Sequence, residues 1–211
     1  DALERQTIQR WTGAVVPPEM VGSHIGPTTS HTTARTHDLS FRAITALFGH
    51  FGMEWDVRSV QGEEREELRR LVGLYKEHRD LIHSGRRVHA DVASDALLLH
   101  GVVAGAPATE GTPSPEGTTA ALFALVSTGT SAAEEPGRIG LPGLDAERSY
   151  RVEAIFPAPG DVDYVHTFTQ VQPPAWLSDG AAASGRFLAE VGLPMPILNP
   201  EHALLLKVTA L

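Results

Sequence analysis

The chain has 211 residues, enough for one large domain or two small ones, and its 42% hydrophobic content is sufficient for a buried core. A formal net charge of −9 with no basic block argues against nucleic acid as a partner, because a phosphate backbone needs clustered Lys and Arg. The absence of cysteine excludes disulfides and thiolate metal sites, and no apolar run approaches the roughly 18 residues that cross a bilayer, so no membrane partner is expected.

The opening Asp1–Gln9 reads as helix, with Asp1 and Glu4 in the spacing of a capping box and Leu3, Ile8 and Trp11 as its apolar positions. Gly13 and Pro17-Pro18 stop it. A short strand ending in Gly22-Ser23-His24 then leads into the polar loop around His31-Thr32-Thr33-Ala34-Arg35. An amphipathic helix follows, with Phe41, Ile44, Leu47, Phe48 and Phe51 on one face and Thr36 or Asp38 as the cap. Strand, polar loop and helix make a βα unit, which in α/β barrels and doubly wound sheets offers side chains to ligands at the strand's carboxyl end. A chain that opens on a helix with nothing before it reads as the tail of a larger enzyme, cut inside its catalytic domain. The third helix covers about 63–82 and buries Leu68, Leu71, Val72, Tyr75, Leu81 and Ile82; Glu63, Glu64 and His83 match its dipole, and Gly85 closes it.

Beyond Gly85 the period changes from helical to two. Arg86–Val92, Ala96–Ala104, Thr119–Ser127, Arg148–Phe156, Tyr164–Gln172 and His202–Leu211 read as strands, separated by Gly, Pro, Asp and Ser. Short strands with turn signals between them indicate an antiparallel β-sandwich. Ala106–Gly117 reads as a hairpin loop, and Pro194 and Pro196 as breaks in pairing. The expected organisation is therefore residues 1–84 as part of an α/β unit and 85–211 as a β-sandwich.

Ser23 and His24 are the first candidates, as a hydroxyl and an imidazole on a pocket floor; the competing reading is a satisfied buried histidine and a structural serine. His31, Arg35 and His37, with His24 and His50, match no paired-ligand metal spacing, so neither metal nor cofactor is expected. Arg35 suits two-pronged hydrogen bonding to loop carbonyls or to a carboxylate at a site rim. Trp11, Trp55 and Trp176 can stack on sugar faces, although two of them lie beside helical apolar positions and read as packing.

Several runs together resemble a known family. Asp1-Ala2-Leu3-Glu4-Arg5-Gln6, Pro17-Pro18-Glu19-Met20 with Gly22-Ser23-His24, and His31-Thr32-Thr33 with Arg35 are similar to the end of the catalytic domain of glycoside hydrolase family 36 α-galactosidases. The resemblance continues through Phe48-Gly49, Phe51-Gly52, Glu54 and Asp56, then Leu74-Tyr75-Lys76 with Arg79 and Leu81-Ile82-His83. It reaches the β half at Leu141–Asp145 and Pro200–Leu206. It implies the last βα portion of a (β/α)8 barrel followed by an antiparallel β-sandwich, in a retaining enzyme that releases terminal α-linked galactose from oligosaccharides such as melibiose and raffinose.

The family uses one aspartate as nucleophile and another, in a Ser-Asp-x-x-Asp motif, as acid/base. Asp1 matches the second aspartate of that motif, so the resemblance places both reacting carboxyl groups before residue 1 and leaves Asp1 as the nearest candidate within the chain. Ser23, His24 and Arg35 would then bind substrate or support the groups that do. The isolated chain is expected to be inactive, because retention needs two carboxyl groups about 5–5.5 Å apart. The partner is a small α-galactoside, and the family's larger assemblies imply a homo-oligomer with the sandwich at an interface. With no signal peptide visible the cytoplasm is favoured, although a chain without an initiator Met leaves its compartment open. The competing functions are a non-catalytic carbohydrate-binding β-sandwich, which calls for an exposed aromatic platform, and a related α-N-acetylgalactosaminidase.

Overall fold

The structure is a computed structural model that describes residues 1–90, 92, 94–105, 117–161, 164 and 172–211. The expected loop over 106–116 lies outside these residues, and so does the strand expected over Tyr164–Gln172 apart from its two end residues. The chain divides into two compact units, Asp1–Ser84 and Gly85–Leu211.

In the first unit α1 (Ala2–Thr12) is followed by β1 (Gly22–Ile25), α2 (Leu39–Leu47), β2 (His50–Met53) and α3 (Gly62–Ser84). Strands β1 and β2 pair in parallel, Ser23 opposite Phe51 and His24 opposite Gly52, so β1–α2–β2 is a βαβ unit. The helix expected to run on to Phe51 ends at Leu47, and the segment after it becomes β2. The reason lies at Gly49: a Cβ there would stand 2.7 Å from the Ser23 Cβ and 2.8 Å from the Val21 carbonyl. Only glycine lets the backbone come so close, and the His50 N–H then opens the ladder by donating to the Val21 carbonyl at 2.8 Å. Phe51 instead stacks on Tyr75 of α3, with ring centroids 4.7 Å apart. Asp38 is the residue at the start of α2, but its side chain makes no capping bond.

Helix α1 departs from its expected face. Ile8 and Trp11 are 60% and 67% exposed, so these apolar positions do not mark the buried side. The buried residue of α1 is Gln6, whose amide donates to the Thr45 hydroxyl of α2 at 2.8 Å. Helix α2 is buried nearly all round, and that includes Arg42. Helix α3 buries Leu68, Leu71 and Ile82 as expected, with His78 added; Val72, Tyr75 and Leu81 are only partly covered.

The second unit is built on a six-stranded sheet. Its strands are β3 (Arg86–His89), β4 (Leu97–Val103), β5 (Thr119–Ser127), β7 (Ser149–Phe156), β8 (Ala181–Ser184) and β10 (His202–Ala210). They run antiparallel in the order β3-β4-β5-β10-β7-β8. Residues Ala120–Ser127 of β5 are all buried, as a continuous apolar run in a central strand should be. Leu99, Phe123, Leu125, Leu204 and Leu206 share a core with Leu141, Leu188 and Met195. The layer over that face contains α4 (Trp176–Asp179), α5 (Gly185–Glu190) and a two-stranded pair of β6 (Arg138–Ile139) with β9 (Leu193–Pro194). Pro194 therefore sits within a short pairing, opposite Arg138, and does not break one. Its carbonyl accepts the Trp176 indole N–H at 2.7 Å.

Candidate functional site

Strand alternation separates the two residues expected to form a pocket floor. Ser23 points toward the helices, where it is buried and its hydroxyl accepts the Gln9 amide of α1 at 2.7 Å. His24 points to the opposite face, where its side chain is 44% exposed. Its imidazole lies over Gly52, where a Cβ would come within 2.7 Å of His24 Cδ2. Ser23 therefore supports β1 from the helix side, while His24 lies on the other face of the strand.

A cleft of about 220 Å³ opens at the carboxyl end of β1, lined by residues that include Asp1, Arg5, His24, His37, Arg42 and Glu54. Arg35 and Ser23 are not among its lining residues. Asp1 is the N-cap of α1: one carboxylate oxygen accepts the Leu3 and Glu4 amides at 2.8 and 3.3 Å. The other oxygen accepts the Thr33 hydroxyl and the Arg35 guanidinium, the latter at 3.1 Å. With four donors and a side chain fully withdrawn from solvent, this carboxylate ties the β1–α2 loop to the start of α1. Arg35 thus finds a carboxylate, as its chemistry suggested, and the carboxylate is that of Asp1.

Arg42 and Glu54 are not among the site candidates read from the sequence. Arg42 is buried, and its guanidinium donates to the carbonyls of His37 (3.0 Å) and Gly26 (2.7 Å), the Thr28 hydroxyl (3.2 Å) and the Glu64 carboxylate (3.0 Å). It also lies over the Trp55 ring, 5.3 Å from the centroid. One arginine thereby fixes both ends of the loop between β1 and α2. The signal was present, since a lone charge in Leu39–Leu47 must find partners when its helix is buried. Glu54 follows β2, and its N–H extends the ladder to the Ile25 carbonyl at 2.9 Å. Its carboxylate lies 3.6 Å from Arg5 and 3.9 Å from His24 Nδ1, while Arg5 also donates to the His24 carbonyl.

Among the described residues no three of His, Asp and Glu gather as a metal site would require. A larger groove, about 970 Å³, runs along α3 beside Val60, Leu68, Val72, Arg65 and Lys76, and holds none of the expected site residues. Trp11 is exposed rather than packed, Trp55 lies under Arg42, and Trp176 belongs to the core. In the β unit Phe123, Tyr150 and Phe156 are buried, and Phe187 is the large exposed aromatic among the described residues.

Parallel strands joined through a helix, with a polar cleft at their carboxyl ends, define a piece of an α/β enzyme scaffold. Residues 1–85 match the family model described as melibiase. An α-galactosidase of Escherichia coli is 38% identical over 208 residues, which is 99% of this chain and 28% of that protein. The galactosidase domain of the α-galactosidase–sucrose kinase AgaSK has the same fold over 100% of this chain and 25% of its own, with a TM-score of 0.75 at 23% identity. The α-galactosidase AgaA of Geobacillus stearothermophilus, solved in complex with raffinose, gives a TM-score of 0.74 at 21% identity, again over 100% of this chain and 25% of that one. The chain is thus similar along its whole length to α-galactosidases of glycoside hydrolase family 36, and it spans about a quarter of the length of these relatives.

Proposed function

We propose that these residues are the C-terminal part of a retaining α-galactosidase that releases terminal α-linked galactose from oligosaccharides. In this reading residues 1–84 are the last portion of a (β/α)8 barrel and residues 85–211 an antiparallel β-sandwich. The observation that carries it is the parallel β1–β2 pair, with His24 lining a polar cleft at its carboxyl end, in a chain 38% identical to an α-galactosidase. Barrel enzymes place their chemistry at that end.

Within the reaction this chain supplies wall and scaffold. Asp1, committed to the α1 cap and to Arg35, acts as a structural carboxylate; the nucleophile and the acid/base both lie outside these 211 residues. Arg42 and Asp1 hold the β1–α2 loop at the cleft, and His24 faces the substrate. Double displacement needs two carboxyl groups across the scissile bond, so the 211-residue chain alone does not turn over.

The test is an assay of the full-length polypeptide that carries this chain, with melibiose and raffinose, following by NMR the anomer first released. Release of α-galactose supports the proposal, and the isolated chain should release none. Release of β-galactose, or no activity on any α-galactoside, overturns it.

A further inference from the structure

The cleft holds two carboxylates in opposite states. The Asp1 side chain is 0% exposed and accepts four hydrogen bonds, whereas that of Glu54 is 68% exposed. Its two neighbours, Arg5 at 3.6 Å and His24 at 3.9 Å, both stand beyond hydrogen-bond reach. Among the described residues nothing closer occupies its oxygens, yet its backbone is pinned to β1 and Arg5 is pinned to the His24 carbonyl. The result is a carboxylate at the cleft wall, flanked by two donors.

That alternation selects a ligand class. An anion would be repelled by Glu54, and a cation by Arg5. A neutral ligand with adjacent hydroxyls fits, because each hydroxyl both donates and accepts: one O–H donates to the carboxylate while its neighbour's oxygen accepts from the guanidinium or imidazole. Glu54 lies after the last residue of β2, at the rim of the scaffold rather than within it. Groups at a rim meet the outward part of a bound substrate. We propose that Glu54, with Arg5 and His24, forms a hydroxyl-binding subsite for the leaving-group sugar of an α-galactoside; this rests on the function proposed above.

The experiment compares raffinose, whose leaving group is a sugar, with 4-nitrophenyl α-galactoside, whose leaving group has no sugar hydroxyls, in the full-length polypeptide and its Glu54→Gln and Glu54→Ala variants. Loss of a charged hydrogen-bonding partner should raise KM for raffinose about tenfold in Glu54→Ala and less in Glu54→Gln, with a smaller rise for the aryl substrate. Equal losses on both substrates, or an unchanged KM for raffinose in both variants, would overturn the subsite while leaving the α-galactosidase reading standing. A wild-type polypeptide that hydrolyses neither substrate removes both.

Discussion

The two units solve the problem of a stable interior in different ways. The second buries an apolar sheet, in which Leu99, Phe123, Leu125 and Leu206 meet Leu141 and Leu188 with few polar groups among them. The first buries Gln6, Ser23, His37, Arg42, Thr45 and His78 and joins its elements through them, Gln6 to Thr45, Gln9 to Ser23, Arg42 to the β1–α2 loop. Apolar burial is non-directional and tolerates repacking, whereas buried hydrogen bonds fix geometry and fail when one partner is lost. The unit that carries the cleft is the one held by directional bonds.

Four experiments test that contrast. The largest effect is expected at Gly101, where a Cβ would stand 2.2 Å from the Leu122 carbonyl and 2.6 Å from the Phe123 ring. Gly101→Val should separate β4 from β5 and cost more than about 4 kcal/mol, read as lost amide protection throughout the sheet. In the first unit, Arg42→Met keeps bulk but leaves the His37 and Gly26 carbonyls without their donor, so a loss of about 2–4 kcal/mol in denaturant unfolding is expected. A neutral result would show that the loop is held by packing instead. Gln6→Ala should cost only about 1 kcal/mol, because Thr45 keeps its bond to the Phe41 carbonyl at 2.7 Å.

The smallest effect is a matter of pH. Burial pushes the Tyr164 hydroxyl up to about 12, and burial raises Tyr150 as well, against the pull of the Asp145 N–H that it accepts. A raised folded-state pKa means that the folded form holds its proton where the unfolded chain, near 10, has released it. The contribution is intact below about pH 10 and fades as pH rises toward 12. A spectrophotometric titration should show Tyr164 ionising last, with unfolding favoured over that interval; ionisation of every tyrosine near pH 10 would remove burial as the cause.

Much of the fold was legible because periodicity records burial. Helix α3 and strands β5, β7 and β10 lie within a few residues of where their patterns placed them. Strand β2 was hidden because Phe51 continued the apolar spacing of α2, while Gly49 and Gly52, which permit the close pairing, look locally like breakers. The inner face of α1 was hidden because it is polar, and no hydrophobic pattern marks Gln6. At the site, His24, Asp1 and Arg35 could be chosen by residue type, but the face of Ser23 depends on which side of β1 the helices take. The meeting of Arg5, His24 and Glu54 joins three separate elements, which local spacing cannot reveal.

The glycine beneath His24 makes positions 24 and 52 interdependent. The ring occupies the volume that any side chain at 52 would need, so the two sites share one space between them. A homologue that shortens residue 24 is free to acquire a methyl group or more across the strand, while one that retains the imidazole is not. A side chain at 52 should be tolerated only together with a shorter residue at 24, so any redesign of this cleft has to choose residue 52 with residue 24 in mind.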